Sequence, residues 1–355
     1  MSGFTLSVLD QSSVASGRTP GEAIRETIAL AQHCDALGFR RYWCAEHHNS
    51  ASHAGAAPEI LIAAIAATTR RIRVGSAGVM LPHYSSLKVA EQFRVLEAIA
   101  PGRIDLGVGR APGSDGRTAF ALNPNANQAA DRFPAQVMEV LGWHGDGLPE
   151  NHPFRHIVAQ PNVATRPEMW ILGSSDYGAQ VAGYFGLPYC FAHFFSDGGG
   201  SEQAIAVYRQ SFEPKPDMPG RLAAPHPALG VYCLVADTEA EARRLFRSRE
   251  LWRLKRDRGL YLPLPSVEEA EAYQYSDLEL ARAERMREAA MIGAPEQVKA
   301  RLEALSAAHG GIAEFAVITH CHDPEARRRS YTLLAEAFGI RESGAPAEGV
   351  GLSAG

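Results

Sequence analysis

The chain has 355 residues, of which 46% are hydrophobic and 21% charged, with a formal net charge of −5. That is enough apolar sequence for a large core in one big domain or two ordinary ones. The acidic balance, with no dense Lys/Arg run, excludes a nucleic-acid surface. No uninterrupted apolar stretch reaches the ~20 residues of a membrane span, and the N-terminus lacks the basic segment and long apolar core of a secretion signal. Five scattered cysteines (Cys34, Cys44, Cys190, Cys233, Cys321), none in CxxC spacing, argue for a reducing compartment and against a disulfide framework or structural zinc. Cytoplasm is therefore the expected location. From residue 342 the sequence has no periodic apolar face, so 342–355 is expected to be a disordered tail on a single domain of residues 1–341.

In chain order, residues 4–9 read as a first strand with the polar run Asp10-Gln11-Ser12-Ser13 at its end. Pro20 opens a helix that Gly38 closes. A second strand over 39–45 runs into Glu46-His47-His48-Asn49, and Pro58 starts the next helix. A third strand over 72–75 is ended or kinked by Ser76-Ala77-Gly78. A third helix over 87–100 stops at Pro101-Gly102, and a fourth strand over 104–108 leads to Gly109-Arg110. This βαβαβαβ rhythm is that of a parallel sheet. Residues 111–168 break it with one plausible helix, 129–141, and read as an insertion.

The run Met169 to Leu172 is a fifth strand, followed by Gly173-Ser174-Ser175-Asp176 and an apolar helical stripe. A polar turn opening a helix is an anion site in which free backbone N–H groups and two hydroxyls meet a phosphate. The alternative is that Ser175 or Asp176 only caps the helix. A sixth strand over 188–195 ends near His193, and the glycines at 198–200 form a joint into a helix and a proline-rich loop, 214–227. A seventh strand over 229–236, charged helices over 239–256 and 278–290, a helix from Pro295, an eighth strand over 314–318 and a helix over 324–338 complete the chain. Eight βα units close naturally into a (β/α)8 barrel, here with insertions after strands four and six. An open doubly wound sheet is the alternative.

The polar residues fall at the strand ends where barrel enzymes keep their chemistry: Gln11, Glu46 to Asn49, Ser76 to Gly78, Arg110, Ser174, Ser175 and His193. Arg110 suits a phosphate held at Ser174/Ser175. Gly107-Val-Gly109-Arg-Ala-Pro-Gly113 has the wrong spacing for a dinucleotide fingerprint. His47 and His48 are adjacent and cannot share a pocket in a continuing strand. Either suits a neutral imidazole acting as acid, base or hydrogen-bond donor near its ordinary pKa. His320 and His322 share a strand face but lack further ligands at metal-site spacing, so no metal is expected.

Tyr42-Trp43-Cys44-Ala45-Glu46-His47-His48, then Val74-Gly75-Ser76-Ala77-Gly78-Val79-Met80-Leu81-Pro82, then residues 102–110 (GRIDLGVGR), resemble the bacterial luciferase-like flavin-dependent monooxygenases. Gly173-Ser174-Ser175-Asp176 and Gly186-Leu187-Pro188 fit the same pattern, so the resemblance runs from about Phe4 to Phe338. It implies a TIM barrel, reduced FMN (FMNH2) from a separate NAD(P)H:flavin reductase, O2 activation through a flavin C4a-peroxide, a small organic substrate and a homodimer. By motif position, Arg110, Ser174, Ser175 and Gly178 would hold the FMN phosphate. Ala77-Gly78 would lie against the ring as a non-proline cis peptide, with Gly78 easing the flavin's approach. His47 would handle protons at the flavin's reactive edge, and Asp10, Gln11 and His193 would line the pocket. The 198–200 joint and the loop after it would form a lid. Ser174 and His193 replace an acidic residue and a tryptophan of bacterial luciferase, which points to a more polar pocket than one for long-chain aldehydes. A deazaflavin (F420)-dependent dehydrogenase and a non-catalytic flavin-binding protein are the alternatives.

Overall fold

A computed structural model describes residues 3–195 and 199–341. Residues 342–355 and part of the expected glycine joint lie outside these. All eight expected strands are present: β1 (Thr5–Asp10), β2 (Arg41–Cys44), β3 (Arg73–Met80), β4 (Ile104–Gly109), β5 (Glu168–Gly173), β6 (Tyr189–Phe191), β7 (Pro227–Val235) and, after a short extra strand β8 (Met291–Gly293), β9 (Glu314–Ile318). Each of β1 to β6 pairs in parallel with the next, β6 pairs β7, β7 pairs β9, and β9 returns to β1. The ring is therefore a closed eight-stranded parallel barrel wrapped by helices, the (β/α)8 architecture. Strand β8 lies outside it, pairing the last residues of β7 with 291–293.

Local chemistry sets the repeating unit. The helix Pro20–Leu37 begins with Pro at its first turn and a capping box between Thr19 and Glu22, and stops at Gly38 in the left-handed region, φ 93°. Its buried stripe Leu30, Ala31 and Cys34 packs on the outer faces of the strands with Val8, Tyr42, Val74 and Val317. The barrel interior holds Leu9, Trp43, Trp170 and Ala316. Strands β3 and β4 approach unusually closely: a Cβ at Gly107 would lie 2.2 Å from the Ser76 carbonyl oxygen, and one at Gly78 2.7 Å from Gly107 O. Gly78 is thus required by the barrel's own backbone. The Ala77-Gly78 peptide is cis and falls where the β3–β4 register slips.

Three differences from the sequence reading have physical causes. Strand β3 continues to Met80 instead of stopping at 75, with a bulge at 77–79. The helix expected over 129–141 divides, because Pro134 cannot sit in a helix interior; Ala126–Asp131 ends at Arg132 and Phe133–Leu141 begins anew, preceded by a further helix, Gly116–Leu122. After β6 the helix Ser201–Gln210 is the ordinary barrel helix, and the longest excursion instead follows β7, with helices Glu239–Asp257, Val267–Ala272 and Asp277–Ala289. Among the described residues no helix is long and apolar enough to cross a membrane.

Candidate active site

At the C-terminal ends of the strands lies a cavity of about 260 Å³. Strand alternation decides who faces it. Leu9 and Gln11 line it, while Asp10 between them does not. Asp10 turns outward, where it accepts hydrogen bonds from Tyr42 Oη, from Arg327 Nη2 at 2.8 Å and from the Ser12 N–H at 2.9 Å. Burial would raise its carboxyl pKa, but Arg327 and these donors hold it below the usual carboxylate range. His193 is also absent from the lining, which takes Cys190, Ala192, Phe194 and Phe195: it lies in the turn after β6, where its Nδ1 meets Ser201 Oγ at 3.0 Å. Asp10 and His193 are therefore corrected from pocket residues to supports of the barrel wall.

The remaining candidates, Gln11, His47, Ala77, Gly78, Arg110, Ser174, Ser175 and Gly178, all line this one cavity. Ser175 is the N-cap of the helix Asp176–Phe185 but makes no side-chain capping bond. The plain capping reading thus fails for Ser175, and its exposed hydroxyl and that of Ser174 lie at the cavity beside the helix's free N–H groups. Arg110 is held over the Tyr177 ring, 4.1 Å from its centroid, with no carboxylate partner among the described residues. This end of the cavity is a cationic rim with unused donors.

His47 sits beyond the end of β2, its backbone N–H bound to Gly55 O at 2.9 Å. Its ring stacks on His53, with centroids 4.4 Å apart and planes 16° apart. Its Nδ1 is buried without a hydrogen-bond partner among the described residues. Burial, reinforced by the charge of Arg256, pushes its pKa down to about 4, not the ordinary value expected from the sequence. His47 is therefore neutral near pH 7, with a ring nitrogen free to exchange a proton or a hydrogen bond. His48 turns away to Glu46 at 2.8 Å, which also accepts from Tyr84 Oη at 2.7 Å and the Met80 N–H at 3.0 Å. Glu46 thus clamps the loop after β2 to β3.

His320 and His322 diverge: His320 Nε2 binds Gln11 Oε1 at 2.9 Å, and His322 Nε2 lies 3.1 Å from Ser16 O. Among the described residues no cluster of His, Cys, Asp or Glu is arranged to hold a metal ion. Sequence reasoning missed Tyr177, Phe194 and Phe195 on the cavity, and the stacked His53 behind it. Tyr177 carried a signal, since it follows the anion turn directly. His53 carried none, because its contact depends on a loop folding back.

A closed parallel barrel with a partly apolar cavity at its C-terminal face, one buried histidine and one arginine beside a helix N-terminus is the arrangement of a barrel enzyme. The family model for luciferase-like monooxygenase matches residues 2–312. The uncharacterized protein YwcH of Bacillus subtilis is 44% identical over 335 residues, covering 94% of this chain and 99% of that one. The N-acetyl-S-alkylcysteine monooxygenase of the same organism is 36% identical over 332 residues, covering 94% and 97%. The crystal structure of apo-MsnO8 superposes with a TM-score of 0.85 at 36% identity, covering 95% and 99%. The chain belongs to the luciferase-like monooxygenase family and is a flavin-dependent oxidoreductase.

Proposed function

We propose that the protein is an FMN-dependent monooxygenase that takes FMNH2 from a separate NAD(P)H:flavin reductase and uses O2 to oxygenate a small organic substrate. The observation that carries this reading is the meeting, in one cavity, of an uncapped helix N-terminus with Ser174, Ser175 and Arg110, and of His47 with its unpartnered Nδ1. The groups suit a flavin mononucleotide: donors without partners at one end for a phosphate, apolar walls for a ring, and a neutral base at the other end. A homodimer, which the resemblance implies, and a cytoplasmic location, which the scattered cysteines suggest, belong to the same proposal.

Bound reduced FMN would supply the electrons that activate O2. Arg110, the two serine hydroxyls and the backbone N–H groups near Gly178 bind and orient the phosphate. The walls Leu9, Trp43, Ala77 and Leu172 exclude water from the reacting region. His47 Nδ1 accepts or returns the proton that accompanies oxygen transfer. Gln11, fixed by His320, orients a polar group of the substrate.

The test is a reaction in 18O2 with reductase-generated FMNH2 and a panel of thioethers, ketones and alkenes. Substrate-derived product carrying one 18O atom is expected, and lost in His47→Ala. If every substrate returns unlabelled while all the oxygen consumed appears as H2O2, the reading is wrong.

A further inference from the structure

A second cation lies near the cavity, after β7. Arg256 is on the last turns of the helix Glu239–Asp257, half-buried. Its neighbours on that helix are paired: Arg253 binds Asp257 at 2.9 Å and the Phe195 carbonyl at 2.9 Å, and Arg247 meets Glu271 at 3.8 Å. Asp257, the carboxylate next in sequence to Arg256, is already shared between Arg253 and Arg282. The guanidinium of Arg256 has no ion pair or hydrogen bond among the described residues; its contact is the Trp252 ring, at 5.5 Å.

Aromatic contacts tie this cation to the cavity. Trp252 stands edge-on to His53, at 5.7 Å, and to His320, at 5.2 Å. These two histidines back the cavity-lining His47 and Gln11. The bond from Arg253 to Phe195, itself on the cavity, brings the same helix end to the rim. The charge of Arg256 adds to burial in lowering the pKa of His47. Glu46 opposes it more weakly at His47, its carboxylate being engaged by His48, Tyr84 and the Met80 N–H. Past Arg256 the chain exposes Leu260, Tyr261 and Leu262, at 50%, 58% and 43%. The rim thus joins a half-buried arginine with no ion pair among the described residues, buried imidazoles and apolar surface.

The geometry points to Arg256 as the receptor for a carboxylate on the substrate: the site takes a small organic acid whose apolar arm enters the cavity past His47 while its carboxylate pairs with Arg256. This rests on the monooxygenase reading above and supplies the substrate class that reading leaves open. Two guanidinium groups with no ion pair among the described residues then divide the work, Arg110 for the cofactor phosphate and Arg256 for the substrate carboxylate. Arginine suits the second role, since its planar fork binds a carboxylate bidentately and it is not strongly hydrated. The relative active on N-acetyl-S-alkylcysteines acts on such a molecule, a carboxylate with an apolar thioether arm.

The test is calorimetric titration of the full chain, with and without saturating FMN, using N-acetyl-S-butylcysteine and its methyl ester. The acid is expected to bind about 10- to 100-fold more tightly than the ester, the worth of one charge-assisted hydrogen-bonded pair. Arg256→Gln is expected to abolish that preference and Arg256→Lys to keep part of it, with unchanged circular dichroism. Equal binding of acid and ester, binding of neither, or an acid preference that survives in Arg256→Gln overturns the assignment. An acid preference that persists in a protein that does not bind FMN would instead fault the cofactor reading and leave Arg256 as the receptor.

Discussion

The two mouths of the barrel are built on opposite principles. At the N-terminal mouth the strands open with charges that satisfy one another. Arg41, 1% exposed, binds Asp105 at 2.9 Å, Glu168 at 2.8 Å and Glu314 at 3.0 Å. Arg73 also binds Asp105, the Trp43 indole N–H donates to it at 2.9 Å, and Ser7 donates to Glu314. At the C-terminal mouth polar groups are left open among the described residues: His47 Nδ1 has no hydrogen-bond partner, the Ser175 side chain makes no capping bond, and Arg110 lies over an aromatic face without an ion pair. Buried groups that complete each other's hydrogen bonds fix a structure, and groups that do not are kept for a ligand. The same side chain type, arginine, is a structural plug at one mouth and a binding group at the other.

The sharpest way to break this contrast is to remove an arginine from each end. Arg41→Ala leaves three carboxylates with their shared cation gone, two of them fully buried, and is expected to cost about 3–5 kcal/mol of stability, read as a lower urea midpoint. Next comes the wall between the mouths. Gly107→Ala forces a Cβ to within 2.2 Å of a carbonyl oxygen, and a loss of about 1–3 kcal/mol is expected in the same unfolding measurement. At the open mouth the signature reverses. Arg110→Ala is expected to leave stability within about 0.5 kcal/mol and to weaken FMN binding about 10- to 100-fold. An Arg110 variant that unfolds like the Arg41 variant would erase the distinction.

A further effect, confined to acid conditions, is in the pH dependence of stability. The folded-state pKa of His47 is about 4 against an ordinary 6.5, so the unfolded chain takes up this proton first. Stability from this group is complete above pH 6.5 and is lost as the pH falls toward 4. His144, buried and also lowered to about 4, acts in the same direction. His47→Gln is therefore expected to flatten the fall in stability between pH 6.5 and 4 without removing it, measured by urea unfolding at several pH values.

Most of the barrel was legible because each strand is a short apolar run bounded by Gly, Pro or polar residues, and each helix carries its own start and stop signals. The open mouth was legible too, since polar residues after successive parallel strands must gather at one face. What was lost turned on single-residue phase. Asp10 and His193 lie one position from true cavity residues; alternation sends Asp10 outward, and the turn after β6, which ends the strand at Phe191, carries His193 away. Arg256 and His53 were invisible because no sequence spacing joins the end of the helix after β7 to the loop after β2. The excursion after β7 was read as ordinary barrel helices because its helices are charged and well capped, Ser266 and Ser276 each forming a capping box. The paired charges at the closed mouth were equally hidden: Arg41, Asp105, Glu168 and Glu314 are far apart in the chain and meet only when the ring closes.

We propose that the open mouth holds a flavin by its phosphate. Equilibrium titration of the wild-type protein and Arg110→Ala with FMN, riboflavin and F420 tests it most directly. The account predicts that FMN binds at least about tenfold more tightly than riboflavin, that the difference collapses in Arg110→Ala, and that F420 binds less well than FMN. Riboflavin binding as tightly as FMN, or a preference for F420, would contradict it.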